Sequence, residues 1–460
     1  MSSDWPEFSI DELKASSRNA IAMGPFGSRI KAENFVDVGV PVIKGGNLNG
    51  DFILEDKFSY LTDDKATELR TSNAFRRDIV ITHRGTIGQV GIIPDNSLYE
   101  RYVVSQSQLK VTLDQEKVNP YFIYYFLRSP LGQHRLLLNS SQVGVPAIAQ
   151  ASTSVKGIMV PCPDKDIQDK IVEILLNIDH KIELNRQTNQ TLEQIAQVIF
   201  KSWFIDFDPV KAKIQAIEDG KDPEWAAMRA ISGKPDAELE KLSQGQKEKL
   251  AETAALFPSE MVDSELGEIP LGWKPSNLGG HFNVVMGQSP KGESYNENGE
   301  GTLFFQGRRD FGDRYPEPRV YTTAPNRLAN KDDTLISVRA PVGDRNMALE
   351  NCCIGRGVAA IRHKTGSRSF TYAFISFIES RLSNSGSEGT VFNSINKNEL
   401  SGVPFVAPII DLINKFEIMI HPFDQKIEEN TKETKILKEL RDTLSPVLLS
   451  GKVLVKPNDN

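Results

Sequence analysis

Cysteine, long apolar runs and targeting segments are scarce or absent in this sequence, and each absence excludes a class of protein. The 460 residues include three cysteines, Cys162, Cys352 and Cys353, an odd number without the spacing of a zinc site or a disulfide framework. No apolar run approaches the ~20 residues of a membrane-spanning helix, and the first residues lack the basic and apolar segments of a secretory signal. We therefore expect a cytoplasmic protein that contacts no membrane and whose cysteines are buried thiols.

The motifs of nucleotide hydrolysis and methyl transfer are also missing. No Asn-Pro-Pro-Tyr or Asp-Pro-Pro-Tyr of an amino-methyltransferase is present, and three Gly-Lys pairs lack the remainder of a phosphate-binding loop: Gly220, Gly233 and Gly451. Asp164, Asp179 and Lys181 imitate a nuclease signature, but we expect them on one helix about four turns apart, where they cannot share one metal. We expect no catalytic, cofactor or metal site in this chain.

The most informative feature that is present is a helical pattern that occurs twice. Apolar residues or Asn recur at steps of three and four, which is typical of the narrow seam of a coiled coil. From Ile167 to Leu412 and from Ile199 to Leu444 the separation is 245 residues, so the copies share one register. The seam positions are Ile167, Ile171, Ile174, Ile178, Ile182, Asn185, Asn189, Leu192, Ile195 and Ile199 in the first copy, and Leu412, Phe416, Met419, Phe423, Ile427, Asn430, Thr434, Leu437, Leu440 and Leu444 in the second.

Both copies contain the sequence Asp-x-Lys-Ile-Glu-x-Asn, at 179–185 and 424–430. Its Asn lies on the seam, where it costs stability but selects one register because it needs a polar partner. Two unrelated amphipathic helices, each packed on its own domain, are the simpler alternative, but the single offset favours pairing of the two helices with each other. We predict an antiparallel pair, with a break in the second helix near His421-Pro422 because proline removes a helical hydrogen bond.

A globular segment precedes each helix, and the two segments repeat the same landmarks. In the first they are Trp5, 24–28, 43–45 and 78–88, and their counterparts are Trp273, 287–291, 304–309 and 333–343. We therefore predict an α+β protein with two duplicated globular domains, separated by two long helices that pair as an antiparallel coiled coil with pseudo-two-fold symmetry. The predicted segments are a first domain (1–163), a first helix (164–205), an acidic helical linker (206–265), a second domain (266–408), a second helix (409–450) and a tail (451–460).

The net charge of −7 is unevenly distributed along the chain. Residues 1–163 carry 17 basic and 17 acidic side chains, and residues 271–410 carry 16 and 13, whereas residues 164–270 carry 13 and 22. The globular segments are thus neutral to weakly basic, which permits contact with DNA. The acidic linker is predicted to be a mobile or partner-covered connection.

Five features together resemble the specificity subunit of type I restriction-modification enzymes, and the resemblance covers nearly the whole chain. They are the turn at 24–28, the strand and turn at 78–88, Gly355-Arg356-Gly357, the repeated Asp-x-Lys-Ile-Glu-x-Asn sequence and the helix end at 203–209. The resemblance implies two target recognition domains, each of which reads one half of a bipartite, asymmetric double-stranded DNA site. The chain departs from the commoner pattern at the junctions between domain and helix, where it lacks Pro-Pro-x-x-Glu-Gln.

The resemblance also implies partners and assigns the chemistry to them. Two methyltransferase subunits that bring S-adenosylmethionine, and two restriction subunits that bring ATP and Mg, are expected to dock on this chain, which is not itself an enzyme. A two-headed coiled-coil adaptor that binds proteins without DNA specificity is the alternative. A self-sufficient enzyme is the third class, and the missing motifs weigh against it.

Side chains that make paired hydrogen bonds to bases, or that neutralise phosphate, are the candidates for DNA contact. We look for them beside glycine turns, where the backbone can approach DNA closely. The candidates in the first domain are Ser28, Arg29, Lys31, Lys44, Asn47, Arg84, Thr86, Gln106 and Gln142. Those in the second domain are Lys291, Tyr295, Gln306, Arg308, Arg309, Arg339, Arg356 and Asn393.

The helix pair is predicted to act as a ruler between the two halves of the DNA site. Residues 179–204 would span about 40 Å as a helix, which is close to one turn of B-DNA, about 34–36 Å. Insertion of one helical turn between Ile182 and Leu192 should therefore change the gap or abolish recognition, and leave the half-site bases unchanged. A map of DNA methylation checks this, and altered bases at an unchanged gap would contradict it.

Overall fold

The computed structural model describes residues 5–50, 52–55, 57–141, 144–384 and 394–453, without the side chains of residues 28, 380, 381, 383 and 384. The chain forms two compact units: unit 1 contains Met1–Asn185 and Lys432–Asn460, and unit 2 contains Arg186–Thr431. Each of the two long helices therefore contributes one part to each unit. No helix in the described ranges has both the length and the apolarity that crossing a lipid bilayer requires.

Unit 1 is built on two sheets. Its strands are β1 (Glu7–Ser9), β2 (Ile21–Met23), β3 (Phe35–Val36), β4 (Val40–Ile43), β5 (Ser59–Leu61), β6 (Asn73–Ala74), β7 (Ile79–Thr82), β8 (Val90–Ile92), β9 (Tyr102–Val104), β10 (Gln108–Val111), β11 (Ser140–Ser141), β12 (Ala147–Ile148) and β13 (Met159–Pro161). Its helices are α1 (Ile10–Leu13), α2 (Asp63–Glu68), α3 (Pro120–Arg128), α4 (Pro130–Leu137), α5 (Ala151–Lys156) and the first part of α6 (Lys165–Phe204). The sheet orders are β2-β10-β7-β8 and β3-β5-β4-β9-β6, with further pairs β1-β13 and β11-β12.

Unit 2 begins within α6 and continues with four helices before its own sheets. These helices are α7 (Asp208–Glu218), α8 (Pro223–Ser232), α9 (Asp236–Leu239) and α10 (Gln244–Ala254). The strands are β14 (Met261–Ser264), β15 (Gly267–Pro270), β16 (Lys274–Asn277), β17 (Phe282–Met286), β18 (Tyr295–Asn296), β19 (Thr302–Phe305), β20 (Tyr321–Thr322), β21 (Leu328–Ala329), β22 (Thr334–Ser337), β23 (Arg345–Met347), β24 (Cys352–Ile354), β25 (Val358–His363) and β26 (Pro404–Ala407). The remaining helices are α11 (Leu278–His281), α12 (Arg368–Asn384), α13 (Lys397–Ser401) and α14 (Ile410–Leu449), and the end of α14 belongs to unit 1.

The two units have the same strand order, which confirms the predicted duplication. Unit 2 contains the sheets β17-β25-β22-β23 and β18-β20-β19-β24-β21 and the pair β16-β26, each matching a sheet or pair of unit 1 strand for strand. The one parallel pairing recorded in each unit is also equivalent, β4 with β9 and β19 with β24. The repeat therefore extends from the landmarks in the sequence to the hydrogen-bonded pairing of the strands.

The two long helices are equal in length, 40 residues each, and they pair within each unit. In unit 1, Asn185 Nδ2 donates to Glu433 Oε2 at 2.8 Å and to Thr434 Oγ1 at 3.4 Å. In unit 2, Asn430 Nδ2 donates to Asn189 Oδ1 at 2.9 Å. Further along the pair in unit 2, Phe200 contacts Phe416, with ring centroids 5.9 Å apart. Residue numbers therefore increase along α6 in the direction in which they decrease along α14. The predicted antiparallel pairing is confirmed.

The burial of the seam positions differs along the helices. Ile178, Ile182, Asn185, Ile427 and Asn430 are buried, and the partly buried positions include Leu192, Ile199, Phe423, Leu437 and Leu444. The assignments of Ile174, Ile195 and Leu440 to the seam are wrong, because these side chains are exposed by 36%, 41% and 43%. Next to Ile174, α6 packs on the globular part of unit 1 through Val172 and Leu175, which are buried instead.

The predicted break near Pro422 is wrong. α14 runs without interruption from Ile410 to Leu449. Proline removes the hydrogen bond to the carbonyl four residues earlier, which belongs to Ile418. Pro422 and Ile418 are both exposed, so water can reach that carbonyl, and the buried Ile420 and Asp424 hold the helix on its other side.

The acidic linker is also different from the expected mobile or partner-covered connection. Residues 206–265 contain α7 to α10 and β14, and apolar residues of this segment belong to the main hydrophobic core of unit 2. Phe257 packs edge-on against Trp203 with ring centroids 5.4 Å apart, and Phe207 packs against Trp273 at 5.5 Å. The segment is acidic on average, but its apolar residues are spaced so that each helix has one face to bury.

The Asp of the repeated sequence joins helix to globular domain in both units. In unit 1, Asp179 is buried and accepts hydrogen bonds from Tyr125 Oη on α3 at 2.6 Å and from Arg441 Nη1 on α14 at 2.8 Å. Burial and the neighbouring Asp179 carboxylate raise the pKa of Tyr125, so its hydroxyl stays a donor. In unit 2, Asp424 accepts from Ser369 Oγ on α12 and from Arg314 Nη2, both at 2.6 Å.

Asp424→Ala is expected to lower the free energy of unfolding of unit 2 by about 3 to 5 kcal/mol, because it leaves the buried Arg314 without its closest carboxylate. Trp203, Trp225 and Trp273 lie in unit 2, so denaturant unfolding followed by tryptophan fluorescence reports mainly on this unit. Asp313→Ala removes an exposed carboxylate next to Arg314 and should change stability by no more than about 0.5 kcal/mol. Equal losses for the two variants would show that the buried pair has no special role.

Candidate nucleic-acid interface

In unit 1, the turn at 105–107, which links β9 to β10, is where three other chain segments meet. We call it the corner turn of unit 1. A Cβ on Gly24, at the end of β2, would lie 1.9 Å from the Ser105 carbonyl oxygen, so only glycine allows this approach. Ser105 N–H donates to the carbonyl of Ile43 at the end of β4 (3.0 Å), and His83 N–H, after β7, donates to the carbonyl of Ser107 (2.9 Å).

Unit 2 builds the same corner at 355–357, which we call the corner turn of unit 2. A Cβ on Gly287, after β17, would lie 2.1 Å from the Gly355 carbonyl oxygen. Gly355 N–H donates to the carbonyl of Phe305 at the end of β19 (2.8 Å), and Val338 N–H, after β22, donates to the carbonyl of Gly357 (3.0 Å). The ends of three strands therefore lie beside the corner turn in each unit.

The loops beside the corner turns are stabilised by side chains whose polar groups form hydrogen bonds with the loop backbone. Asn47 is buried; its Oδ1 accepts from Lys44 N–H at 2.9 Å and its Nδ2 donates to the carbonyl of Leu54 at 3.1 Å. Asp310 has the corresponding place in unit 2, where its Oδ2 accepts from Gln306 N–H at 2.7 Å. Asn47, a predicted DNA contact, is therefore placed by the structure as a former of the turn.

A polar network that extends from the buried Gln108 and Thr82 to the exposed Asn49 lies under the corner turn of unit 1, and the sequence did not predict it. Gln108 Nε2 donates to Thr82 Oγ1 at 3.2 Å, Thr82 Oγ1 donates to Gln89 Oε1 at 3.0 Å, and Gln89 Nε2 donates to Asn49 Oδ1 at 2.5 Å. The only signal in the sequence was the interleaving of hydroxyl and amide side chains with apolar ones at 102–108. The network supports the turn from below, because a buried amide must keep its partners.

His83 supports the same turn from the side. Its Nε2 lies 3.1 Å from the carbonyl oxygen of Gln106, which can only accept, so the ring donates. Burial lowers the pKa of His83, which keeps the ring neutral. The backbone of the corner turn is thus fixed while the side chain of Gln106 is exposed.

The structure separates the predicted contact residues into two groups by whether the side chain already has a partner. Within the described residues, eight exposed side chains make no hydrogen bond or ion pair: Arg29, Arg84, Thr86, Gln106, Gln306, Arg309, Arg339 and Arg356. Lys31 pairs with Glu33 at 3.5 Å, Lys291 with Glu293 at 3.9 Å, and Arg308 with Asp344. Lys44 donates to Ser59 Oγ at 2.7 Å.

The remaining predicted residues have a structural contact or lie outside the described part. Tyr295 donates its hydroxyl to the carbonyl of Pro290 at 2.9 Å and packs on Phe304, with ring centroids 4.9 Å apart. The side chain of Ser28, and both Gln142 and Asn393, are outside the described residues.

Of the unpartnered side chains, five lie on or next to a corner turn. Gln106 and Arg356 are the central residues of the two turns. Arg84 and Arg339 follow β7 and β22 and form isolated backbone bridges with Ala147 and Ser394. Gln306 lies beside the turn of unit 2, where its carbonyl accepts from Gly357 N–H at 3.2 Å. These side chains offer amide and guanidinium groups, the types that make paired hydrogen bonds to base edges or bind phosphate.

Known proteins with a similar sequence or fold are specificity subunits of type I restriction enzymes. A family model described as "Type I restriction modification DNA specificity domain" matches residues 3–194. The chain is 30% identical to the type I restriction enzyme HindI specificity subunit of Haemophilus influenzae, over 98% of this chain and 100% of that protein. It is 26% identical to the putative type I restriction enzyme MjaX specificity subunit of Methanocaldococcus jannaschii, over 98% of this chain and 94% of that protein.

A solved structure of the same kind shares the fold. The type I restriction-modification system S subunit from M. genitalium has 18% sequence identity and a TM-score of 0.52, over 97% of this chain and 96% of that one. Together with the identity to the relative from Haemophilus influenzae, this leads to one conclusion: the chain belongs to the specificity subunits of type I restriction enzymes, and is not one of their catalytic subunits.

Proposed function

We propose that this chain reads a bipartite, asymmetric DNA sequence for a type I restriction-modification complex, with one half-site read by each unit. The observation that carries the proposal is the duplicated corner turn. In both units it presents an exposed amide or guanidinium side chain, Gln106 or Arg356, that has no partner within the described residues, and a glycine packs closely against the turn backbone. Such groups suit base edges and phosphates, and a chain with two such corners has one for each half of a two-part site.

The proposal extends to the partners that supply the chemistry. Methyltransferase subunits that carry S-adenosylmethionine, and restriction subunits that use ATP and Mg, dock on this chain in the cytoplasm, with two copies of each. Support comes from the long helices, which leave large apolar side chains exposed on both units: Leu184, Val198, Ile410, Ile418 and Ile436. We propose that these side chains contribute to the surfaces on which the partner subunits dock.

The adaptor alternative has less support. It requires aromatic and aliphatic anchors at the corners, whereas the side chains there are Arg and Gln. Membership of the specificity-subunit family also favours the reading of DNA over the binding of proteins alone.

Deletion of this gene should abolish adenine methylation at one two-part motif with a fixed gap, because methyltransferase subunits without a specificity subunit have no directed target. Long-read sequencing of the source cell with and without the gene measures this. The control is a deletion strain that carries the gene on a plasmid, in which the motif should be methylated again. An unchanged map in a cell with demonstrably active methyltransferase subunits would contradict the proposed function.

Gly287→Ala should weaken the recognition of one half-site, because the added Cβ would lie 2.1 Å from the Gly355 carbonyl and must displace the corner turn. Binding of the purified complex to DNA with both half-sites, or with either one scrambled, measures the loss, which we expect to be tenfold or more by order of magnitude. Gly292→Ala is the matched control in the same loop, since a Cβ there meets no atom within 4 Å. Similar affinities for the two variants would separate the corner from DNA recognition.

A further inference from the structure

The corner turns of the two units are equivalent position by position. β4 pairs with β9 through Ile43 and Val104, and β19 pairs with β24 through Phe305 and Ile354. Counting on from these pairs, the turn Ser105-Gln106-Ser107 corresponds to Gly355-Arg356-Gly357. Gln106 and Arg356 thus have the same place in the fold, with small residues on either side, and both side chains are exposed and unpartnered within the described residues.

A second equivalent pair lies next to these turns. Arg84 and Arg339 each come two residues after the end of the strand, β7 or β22, that is central in its sheet. Each forms an isolated antiparallel bridge, with Ala147 of β12 in unit 1 and with Ser394 in unit 2. Here the two units carry the same residue, whereas the corner turns carry Gln in one and Arg in the other.

This difference separates two kinds of DNA contact. Phosphates are the same in every sequence, so a contact to them is served by the same side chain in both units. Base edges differ between the halves of an asymmetric site, so a contact to them requires different side chains at equivalent positions. Identity at Arg84 and Arg339 therefore indicates phosphate, and the change from Gln106 to Arg356 indicates bases.

The chemistry of the two side chains names the bases. A glutamine amide pairs with N6 and N7 of adenine, and a guanidinium pairs with O6 and N7 of guanine. We propose that Gln106 reads an adenine in the half-site of unit 1, that Arg356 reads a guanine in the half-site of unit 2, and that Arg84 and Arg339 hold backbone phosphates. This inference rests on the proposed function.

The backbone at both turns is held firmly enough to aim one side chain. In unit 1 the carbonyl of Gln106 accepts from the neutral ring of His83 at 3.1 Å. In unit 2 the N–H of Arg356 donates to Ser289 Oγ at 3.3 Å, and Gly357 N–H donates to the carbonyl of Gln306 at 3.2 Å. The small neighbours, Ser in one turn and Gly in the other, let the central side chain reach into a groove without a clash.

Reciprocal exchange of the two side chains tests the base assignment. The full complex with wild-type chain, Gln106→Arg or Arg356→Gln is expressed in a host without other methylation, and its motif is mapped by long-read sequencing. Arg356→Gln should lower methylation of the wild-type motif about tenfold or more and relax or change one G·C position in one half-site only. Gln106→Arg should do the same at one A·T position in the other half-site.

The possible results distinguish a failure of the base assignment from a failure of the proposed function. If no two-part motif depends on the wild-type chain, the proposed function fails. If the wild-type motif is present but Arg356→Gln leaves it unchanged at full methylation, this inference alone fails. If an exchange variant gives no methylation, Arg356→Ala replaces it: binding of its purified complex to duplexes with single base-pair changes should lose discrimination at one G·C position, and undiminished discrimination at every position overturns the assignment.

The phosphate assignment has its own readout. Arg84→Ala and Arg339→Ala should lower affinity for DNA without altering the motif, and each should reduce the slope of affinity against salt by about one. A change of motif in either variant would overturn the assignment to phosphate. Arg18→Ala is a control, because this exposed arginine precedes β2, and it is the other end of β2 that meets the corner turn of unit 1.

Discussion

The hydrogen bonds of the seam asparagines are the constraint on which the rest of the structure depends. Asn185 bonds to Thr434 and Glu433, and Asn189 to Asn430, so the residues that face one another are set in both units. A slip by one turn would leave buried amides without these partners, at a cost of about 1–3 kcal/mol for each unsatisfied group. The same register brings Arg441 to Asp179, and through that carboxylate it ties α6 to Tyr125 of the globular part.

The two units conserve their backbone and vary their side chains. Both keep the sheet orders, the parallel strand pair and the glycine that passes against the corner turn. The buried Asp of the repeated helix sequence is also kept, but its arginine comes from the paired helix in unit 1 and from the globular part in unit 2, as Arg441 and Arg314. The carboxylate needs a cation because it is buried, and the source of that cation is free to change.

The repeated pattern made much of the fold predictable. Ten positions at one separation predicted the helix pair and the need of its asparagines for polar partners, and the globular segment before each helix suggested the antiparallel direction. The errors arose where local rules competed with packing. A proline such as Pro422 breaks an isolated helix, but here the carbonyl that loses its hydrogen bond lies on the exposed side of α14. The linker is acidic, but its apolar residues pack in the same core as Trp203 and Trp273. At the site, exposed Arg and Gln residues beside glycines were found, whereas the buried network of Gln108 and Thr82 was not, because its partners are distant in the chain.

By itself, the amino-acid sequence determined the duplication, the common register of the two seam copies, the absence of the common nucleotide-binding motifs and the kinds of side chain available for DNA. Those properties depend on residue type and spacing, which the chain carries locally. Only the tertiary structure decided which candidates remain free. It placed Asn47 inside a turn and paired Arg308 with Asp344, and it left Gln106 and Arg356 exposed at equivalent corners. The exposure of a side chain and its hydrogen-bond or ion-pair partners depend on residues that are distant in the sequence and close in space, so a pattern along the chain does not predict them.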